Sequence, residues 1–421
     1  MNVALYILVA GLVLLFSHLF DEISQKLKVP SVLLLLLSGI IIRQTGDYIG
    51  FVLPFVNKVL PIIGTVALVL IVLEGSLELR IAKEKKKLVF STFFAALIGV
   101  IGCSILLAFY LQYYATVSFH KAIVNVIPFC VISSAVAISS AKQLPKKDRE
   151  FVVYESSLSD IIGVLWFNFF IIYAVPSWSN VLNYGIIFIL SIIAAILFSG
   201  ILIFYLNRIK QKVKFLPIFG FLLILYGLGK WMHLSPLLLI MIFGLVLGNF
   251  ERLLFSKIMP YFNVENLNNS IKHFELISSE SVFFMRTIFF ILFGYSIELN
   301  TLVLRENLQI GSVIFGVIIF TRLIFIYFLS KENWKTILFY GPRGLITVLL
   351  FLSIPENQRI LEINEGSVML VVVFSILFLL FDTKKAVIIP NLEPLTVIYC
   401  FVFKCNLIFV AWKMKLKAPF R

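Results

Sequence analysis

Two carboxylates five residues apart, Glu155 and Asp160, lie in a segment that is otherwise apolar enough to cross a lipid bilayer. The segment begins with YESSLSDIIG, from Tyr154 to Gly163, and continues as VLWFNFFIIYAV. An ionised carboxylate near the bilayer centre costs about 3 kcal/mol on insertion scales, so such residues usually have a function. The pair therefore marks a candidate site inside a membrane.

Helical spacing assigns the two acids to different faces. Ser156 and Asp160 are four residues apart and share a face, whereas Glu155 and Asp160 lie about 140° apart on a helix of 3.6 residues per turn. Asp160 with Ser156 and Ser159 presents oxygen atoms together, and hard cations prefer oxygen ligands. One carboxylate can hold either one monovalent cation or one proton, so the two can compete for it. The alternative is a neutral Asp160 that is hydrogen-bonded in the core.

Glu155 requires a cationic partner if it is buried. A carboxylate and a guanidinium can pair through two hydrogen bonds and satisfy each other. Three arginines stand inside apolar segments, and sequence spacing does not choose among Arg286, Arg322 and Arg343. Glu74, in VLEGSLELR, is either a loop-edge carboxylate near the cytoplasm or a second carboxylate that reaches the cavity.

The composition places these residues in a membrane. The chain of 421 residues is 61% hydrophobic and 14% charged, whereas a soluble chain carries about 25% charged residues. The apolar segments are continuous rather than alternating, which excludes an outer-membrane barrel. The sequence predicts an all-α polytopic membrane protein with about thirteen transmembrane spans. Spans 1 to 13 fall near residues 3–20, 29–42, 59–77, 88–114, 122–141, 151–175, 181–206, 215–229, 235–249, 280–297, 309–330, 336–354 and 366–381.

The basic residues predict the orientation in the membrane. Of 36 Lys and Arg residues, 27 follow odd-numbered spans, six follow even-numbered spans and three lie inside spans. The positive-inside rule then puts the N-terminus outside and the C-terminus in the cytoplasm, in the inner (cytoplasmic) membrane. The net charge of +14 is thus a topology signal and predicts no nucleic-acid partner.

Two polar or basic segments lie outside the predicted spans. Residues 250–279 are predicted to form a cytoplasmic amphipathic helix or loop. Residues 1–381 form the transmembrane domain, and residues 382–421 form a short basic cytoplasmic tail. Because Lys404 lies at the centre of the tail's apolar part, an interfacial helix is favoured over a fourteenth span.

An odd number of spans predicts two inverted-topology repeats, spans 1–6 and 8–13, with span 7 as the linker. Transporters built this way bind substrate where a helix in each half is interrupted. Span 5 contains Pro128 and the polar stretch SSAVAISS (133–140), and span 12 contains GPRG (341–344). Gly and Pro are common in membrane helices, but their corresponding positions favour broken, crossing helices 5 and 12.

Four motifs, in chain order, resemble those of one known family. LEGSLEL on span 3 is similar to FEGGLEL. ESSLSD, from Glu155 to Asp160, is similar to the pattern ES-x-L-[ND]D. MRTIFFILFGYSIEL on span 10 and GPRGLITVLL on span 12 complete the set. The chain thus resembles the monovalent cation:proton antiporters, the sodium/proton exchanger family with a thirteen-helix fold.

The resemblance implies roles for individual residues. It implies that Asp160 is loaded alternately with a cation and a proton, and that Glu155 pairs with Arg286. It implies that Arg343 lies beside the broken helices. The remaining ion-site candidates are hydroxyl, backbone or carboxylate donors: Ser156, Ser159, Glu74, Ser133 and Ser134. The resemblance further implies a homodimer in the lipid bilayer.

The resemblance also implies an activity, a secondary antiport of Na⁺, with K⁺ as the alternative, for H⁺ by alternating access. Electrogenic members have an aspartate and a lysine where this chain has Ser159 and Arg286, so an electroneutral 1:1 exchange is expected. The stretch Ser133-Ser134-Ala135 departs from the usual Thr-Asp-Pro and resembles the potassium-efflux branch. The identity of the cation therefore stays open.

Other function classes remain as alternatives. They are a potassium-efflux antiporter or channel of the same fold, and a transport-inactive membrane scaffold. An enzyme is not expected, because the four histidines show no paired metal-ligand spacing and no Ser-His-Asp arrangement or phosphate loop occurs. Neither a cofactor nor a transition metal is expected.

Overall fold

A computed structural model describes the chain in sections that cover most of the predicted spans. They are residues 11, 15–20, 22–24, 26, 29–49, 53, 56–79, 86–173, 177–209, 215–232, 234–253, 264–298, 304–329 and 333–385. Within these sections the regular structure is helical throughout. The tail predicted as an interfacial helix lies outside the described residues from position 386 onward, as do most residues of span 1.

Fourteen helices of six residues or more can be labelled in the described sections. They are α1 (Ser31–Ile49), α2 (Val56–Glu78), α3 (Lys86–Ala115), α4 (Phe119–Cys130), α5 (Ser134–Ser140), α6 (Lys146–Ile172), α7 (Trp178–Arg208), α8 (Phe215–Trp231), α9 (Pro236–Gly248), α10 (Val264–Ser296), α11 (Arg305–Leu329), α12 (Trp334–Phe339), α13 (Leu345–Leu352) and α14 (Glu365–Lys385). Short helical turns occur at Ala141–Gln143, Phe250–Leu253 and Glu356–Gln358.

These helices confirm the predicted polytopic membrane fold. Among the described residues, seven helical segments are long and apolar enough to cross a membrane, and three shorter apolar helices accompany them. Each span from 2 to 13 corresponds to one helix or, for spans 5 and 12, to a pair of short helices.

The polar segment before span 10 differs from its prediction. Residues 264–279 are the first half of α10, one continuous helix of 33 residues, rather than a separate amphipathic helix or a loop. At 1.5 Å per residue, α10 is about 50 Å long, which exceeds the ~30 Å hydrocarbon core of a bilayer. The polar half can therefore continue the helix beyond the apolar span.

The helices form two bundles. The first bundle contains α1, α2 and α7–α10, and the second contains α3–α6 and α11–α14. Helices within each bundle contact one another extensively, whereas the bundles meet mainly where α2 contacts α6 and α13 and where α9 contacts α6. The segment YESSLSDIIG lies on α6, so the candidate site is in the second bundle, on a helix that borders the first.

Spans 5 and 12 are broken, as predicted. Pro128 lies in the last turn of α4, where it removes a backbone donor, and extended backbone at Val131 and Ser133 separates α4 from α5. Span 12 is interrupted from position 340 to 344, over GPRG. The two breaks contact each other directly, because the Ser133 amide donates a hydrogen bond of 2.9 Å to the Pro342 carbonyl.

The crossing of the breaks requires a glycine at position 344. A Cβ atom there would lie 2.8 Å from the Ser133 Oγ and 3.0 Å from a Val136 methyl group. A larger residue would require the Ser133 and Val136 side chains to shift. The GPRG motif therefore allows the second break to approach the first.

Candidate functional site

Asp160 is buried on α6, with 7% of its surface exposed. Its hydrogen-bonding neighbour is Ser134, which faces the carboxylate with both its hydroxyl and its backbone amide. Ser134 is the first residue of α5, where a backbone amide has no partner within its own helix. The break in span 5 thus supplies the donors that face Asp160.

One oxygen of this carboxylate is unsatisfied. Asp160 Oδ1 is buried and has no hydrogen-bond partner among the described residues. Ser157, three residues earlier and therefore on a neighbouring part of the same face, also has a buried hydroxyl without a described partner. The sequence interpretation passed over Ser157, although the i, i+3 spacing could have indicated it.

The two candidate hydroxyls on α6, those of Ser156 and Ser159, have different partners. Ser159 Oγ accepts a hydrogen bond of 3.0 Å from the Ile132 amide, inside the break of span 5. Ser156 Oγ donates at 3.2 Å to the Val153 carbonyl in its own helix. The hydrogen bond from Ile132 therefore holds the break against α6, next to Ser133 and Ser134. That Ser156 or Ser159 binds the cation stays a prediction.

Glu155 pairs with Arg322, so the prediction that it pairs with Arg286 is wrong. Arg322 Nη1 and Nη2 donate to the two carboxylate oxygens of Glu155 at 2.8 and 3.1 Å, and both side chains are buried. The reason is the division into bundles. Arg322 lies on α11, in the same bundle as α6, whereas Arg286 lies on α10 in the other bundle.

Arg322 also binds the end of a broken helix. Its Nε donates to the Leu338 carbonyl at 3.0 Å, and Nη2 donates to the carbonyls of Ile337 and Tyr340 at 2.9 and 3.2 Å. The last carbonyls of a helix lack partners within it and carry partial negative charge. Arg322 therefore ties Glu155 to the C-terminal end of α12, beside the break of span 12.

The other predicted site residues are dispersed. Arg343 is buried in the break, where its amide donates to Ser375 Oγ at 2.8 Å and its Nη1 donates to the Gly341 carbonyl at 3.2 Å. Arg286 is half-buried on α10, with its guanidinium 5.5 Å from the centre of the Phe283 ring. Glu74 is half-buried near the end of α2, one of the helices that contact α6. Its participation in the site stays a prediction.

The described side chains offer oxygen atoms and no cluster for a transition metal. Within the described residues, no group of three His, Cys, Asp or Glu side chains could hold a metal ion. The chemistry available beside the two breaks is a buried carboxylate with one unsatisfied oxygen, flanked by serine hydroxyls. Such a set of atoms suits a small cation or a proton.

Two broken helices that cross beside a buried carboxylate, in a polytopic helical fold, define a secondary transporter. The chain belongs to the sodium/hydrogen exchanger family, because the family model described as "Sodium/hydrogen exchanger, transmembrane" matches residues 11–382. This confirms the family that the motifs indicated and supports cation/proton antiport. A search among curated proteins found no match.

The fold is also similar to that of solved structures. It resembles two structures of the sodium proton antiporter MjNhaP1 from Methanocaldococcus jannaschii, each 18% identical in sequence to this chain. One structure is at pH 8, and the other is an electron-microscopy map. The first has a TM-score of 0.68 and covers 92% of this chain and 98% of that one. The second has a TM-score of 0.65 and covers 94% and 100%.

Proposed function

We propose that the protein exchanges one monovalent cation, Na⁺ with K⁺ as the alternative, for one proton, and that Asp160 is the group that both ions share. The observation that carries the proposal is the unsatisfied Oδ1 of the buried Asp160, next to Ser134 at the break of span 5. A cation or a proton at Oδ1 would satisfy this oxygen. Because one site cannot hold both ions, loading one releases the other.

The donor atoms support a small, hard cation. Asp160 contributes a carboxylate oxygen, and the hydroxyls of Ser134, Ser156 and Ser157 lie on the same or the adjoining helix. Oxygen ligands suit hard cations such as Na⁺. The backbone near Ser133, and Glu74 from the neighbouring bundle, complete the set of proposed ligands.

The two bundles support transport by alternating access. The second bundle contains both broken helices and Asp160, and it meets the first bundle mainly through α2 and α9. A bundle that is densely packed inside and weakly attached outside can move as a rigid body. Such a movement would expose Asp160 first to one side of the membrane and then to the other.

The proposed location is the inner (cytoplasmic) membrane, with the N-terminus outside and the C-terminus in the cytoplasm. The distribution of Lys and Arg among the connections supports this orientation. We also propose a homodimer, which the resemblance to the exchangers implies.

The test is uptake into vesicles reconstituted with the purified protein. An imposed pH gradient should drive accumulation of ²²Na⁺, or of ⁸⁶Rb⁺ as a substitute for K⁺, and dissipation of the pH gradient should stop it. A channel would instead let the isotope follow its own electrochemical gradient without regard to pH. No flux above protein-free vesicles would identify a scaffold and overturn the proposal.

A further inference from the structure

A small cavity lies in the second bundle, close to the break of span 5. Its volume is about 20 Å³, room for one water-sized molecule or small ion, and one wall consists of small apolar residues of α3, among them Ala96 and Gly99. Its polar lining comes from the end of α4, the break of span 12, α6 and α11. These residues are Cys130, Glu155, Ser159, Thr321, Arg322 and Arg343.

Arg343 is the least satisfied charged residue of this lining. It is 3% exposed, its Nη1 donates to the Gly341 carbonyl, and its Nε is buried without a hydrogen-bond partner among the described residues. A buried donor without a partner destabilises the folded protein, and more so when the group is charged. Among the described residues, therefore, the Nε of this guanidinium lacks an acceptor.

The charges around the cavity favour an anion as that acceptor. The lining contains one carboxylate and two guanidinium groups, and both oxygens of the Glu155 carboxylate are bound by Arg322. A water molecule would satisfy Nε but would leave the lining itself with one net positive charge. A small anion would do both.

Ser159 offers a second donor. Its oxygen accepts the Ile132 amide, which leaves its hydroxyl hydrogen available to a ligand. Thr321 and Cys130 are less suitable, because the Thr321 hydroxyl donates to Val317 and the Cys130 thiol donates to Val126, each within its own helix.

We propose that this cavity is a binding site for a small monovalent anion of the size of chloride, held by Arg343 and Ser159. The site is separate from the cation site, although the two are close along the chain. Ile132 lines the cavity, and Ser134, two residues later, faces Asp160.

The proximity predicts coupling between the two sites, a step that rests on the proposed function. While Asp160 is ionised, the negative charges of two carboxylates balance the positive charges of two guanidinium groups, in the set Glu155, Asp160, Arg322 and Arg343. A cation or proton on Asp160 leaves this group with one net positive charge, which favours an anion at Arg343. Anion binding and cation loading should therefore strengthen each other by the same factor.

Equilibrium binding of ³⁶Cl⁻ to the purified protein in detergent tests the site without any transport. Wild type should bind in a saturable manner, Arg343→Gln should lose that binding, and Arg359→Gln should keep it, because Arg359 is exposed and does not line the cavity. No saturable binding by wild type, or binding that persists in Arg343→Gln, would show that the cavity holds water only.

A second variant covers the case in which Arg343→Gln does not fold. Gly99→Leu adds a side chain from the α3 wall, where a Cβ meets nothing within 4 Å, so the change should occupy the cavity while Arg343 itself is left in place. Gly200→Leu on α7 is the matched control, because its Cβ also enters open space, away from the cavity. Gly99→Leu should abolish ³⁶Cl⁻ binding and Gly200→Leu should retain it. Full binding by Gly99→Leu would overturn the site.

The coupling is tested by repeating the titration with and without saturating Na⁺. The apparent Kd for chloride should fall about fivefold or more with Na⁺, a coupling of ordinary size. Asp160→Asn should bind chloride tightly even without Na⁺, because its amide is permanently neutral. If neither Na⁺ nor Asp160→Asn changes the affinity for chloride, the proposed coupling is wrong. A protein that binds chloride but exchanges no cation would retain the anion site and refute the proposed function.

Discussion

Asp160 is the residue on which the proposed exchange depends, and Asp160→Asn should abolish it. An amide cannot take up and release a proton, so the competition between cation and proton is lost. We expect isotope uptake driven by a pH gradient to fall to the level of protein-free vesicles, while the thermal stability in detergent stays close to that of wild type.

Asp148 provides the matched control on the same helix. It is a buried carboxylate of α6 whose two oxygens accept hydrogen bonds of 2.9 Å from the Asn333 amide group, away from the breaks. Asp148→Asn should keep the exchange. Exchange at the wild-type rate in Asp160→Asn, or its equal loss in both variants, would contradict the assignment of Asp160.

Glu155 should contribute more to stability than to chemistry. Glu155→Ala leaves the buried Arg322 without its carboxylate, and the loss of one member of a buried ion pair costs about 3–5 kcal/mol. We therefore expect a clearly lower melting temperature in detergent. A variant that melts like wild type but binds no cation would instead identify Glu155 as a ligand.

Two charge-swapped double variants distinguish the possible partners of Glu155. Glu155→Arg with Arg322→Glu keeps opposite charges at the two paired positions, so it should recover part of the stability that each single change removes. Glu155→Arg with Arg286→Glu should recover none, because α10 belongs to the other bundle. The opposite ranking in melting temperature would restore the pairing expected from the family resemblance.

At the scale of the elements, the hydrogen bond from Ile132 to Ser159 should hold the break of span 5 in shape. Ser159→Ala leaves the buried Ile132 amide unsatisfied, at a cost of about 1–3 kcal/mol. The break also positions Ser134 toward Asp160. We expect a lower melting temperature together with a higher KM for the cation in vesicle uptake.

Ser139→Ala on α5 is the control for this change. Among the described residues, the Ser139 hydroxyl donates to two carbonyls of its own helix, those of Ala135 and Val136. The stability and the KM of Ser139→Ala should therefore resemble those of wild type. An unchanged KM in Ser159→Ala, despite a lower melting temperature, would mean that Ser159 stabilises the fold without positioning the site.

The elements themselves were largely predictable. A span is marked by the length of its own apolar segment, so the spans could be located from the sequence. The orientation indicated by the basic residues stays a prediction. Pro128 and the GPRG motif act on their own helices, which made both breaks visible in the sequence. The sequence did not predict that α10 is one continuous helix, because polar residues beside an apolar span can either continue its helix or form a separate segment.

The contacts between elements were not predictable in the same way. Arg286, Arg322 and Arg343 are chemically equivalent in the sequence, and the choice among them depends on which helices share a bundle. The distinct partners of Ser156 and Ser159 depend on the side-chain conformations and on the exact path of the break in span 5. Helical spacing could separate the faces of Glu155 and Asp160 but could not supply their partners.

At the scale of the whole molecule, a link between the bundles should stop transport. Gly64 on α2 lies against Leu349 on α13, where an added Cβ would be 2.7 Å from the leucine side chain. In a variant without the native cysteines, a Gly64→Cys/Leu349→Cys pair joined by a thiol cross-linker should lose isotope uptake, because the second bundle could no longer move against the first.

A link inside one bundle is the matched control. Tyr205 on α7 and Phe221 on α8 are neighbours within the first bundle, with ring centres 6.0 Å apart. The corresponding cysteine pair, Tyr205→Cys/Phe221→Cys, should retain uptake after cross-linking. If uptake also survives the cross-link between positions 64 and 349, rigid-body movement of the second bundle is not the transport step.

The stoichiometry of exchange is also a property of the whole molecule. Glu155 is committed to Arg322 by two hydrogen bonds, and arginine stays protonated in proteins. Ser159 stands directly before Asp160 and has no titratable charge. In the proposed function, Asp160 is the main group that gives up one proton for one monovalent cation, so we predict that a full cycle moves no net charge.

An electroneutral exchange should be indifferent to the membrane potential. The measurement is proton flux in vesicles at fixed ion gradients, with the potential clamped at several values by potassium and valinomycin, or by another ion if potassium is the substrate. We expect the same rate at every potential.

Glu74 is the residue that could change this result, because a second carboxylate that reaches the site and titrates would add a proton to the cycle. A rate that varies with potential, and a reversal point that fits two protons per cation, would contradict the 1:1 exchange. Loss of that dependence in Glu74→Gln would then assign the second proton to Glu74.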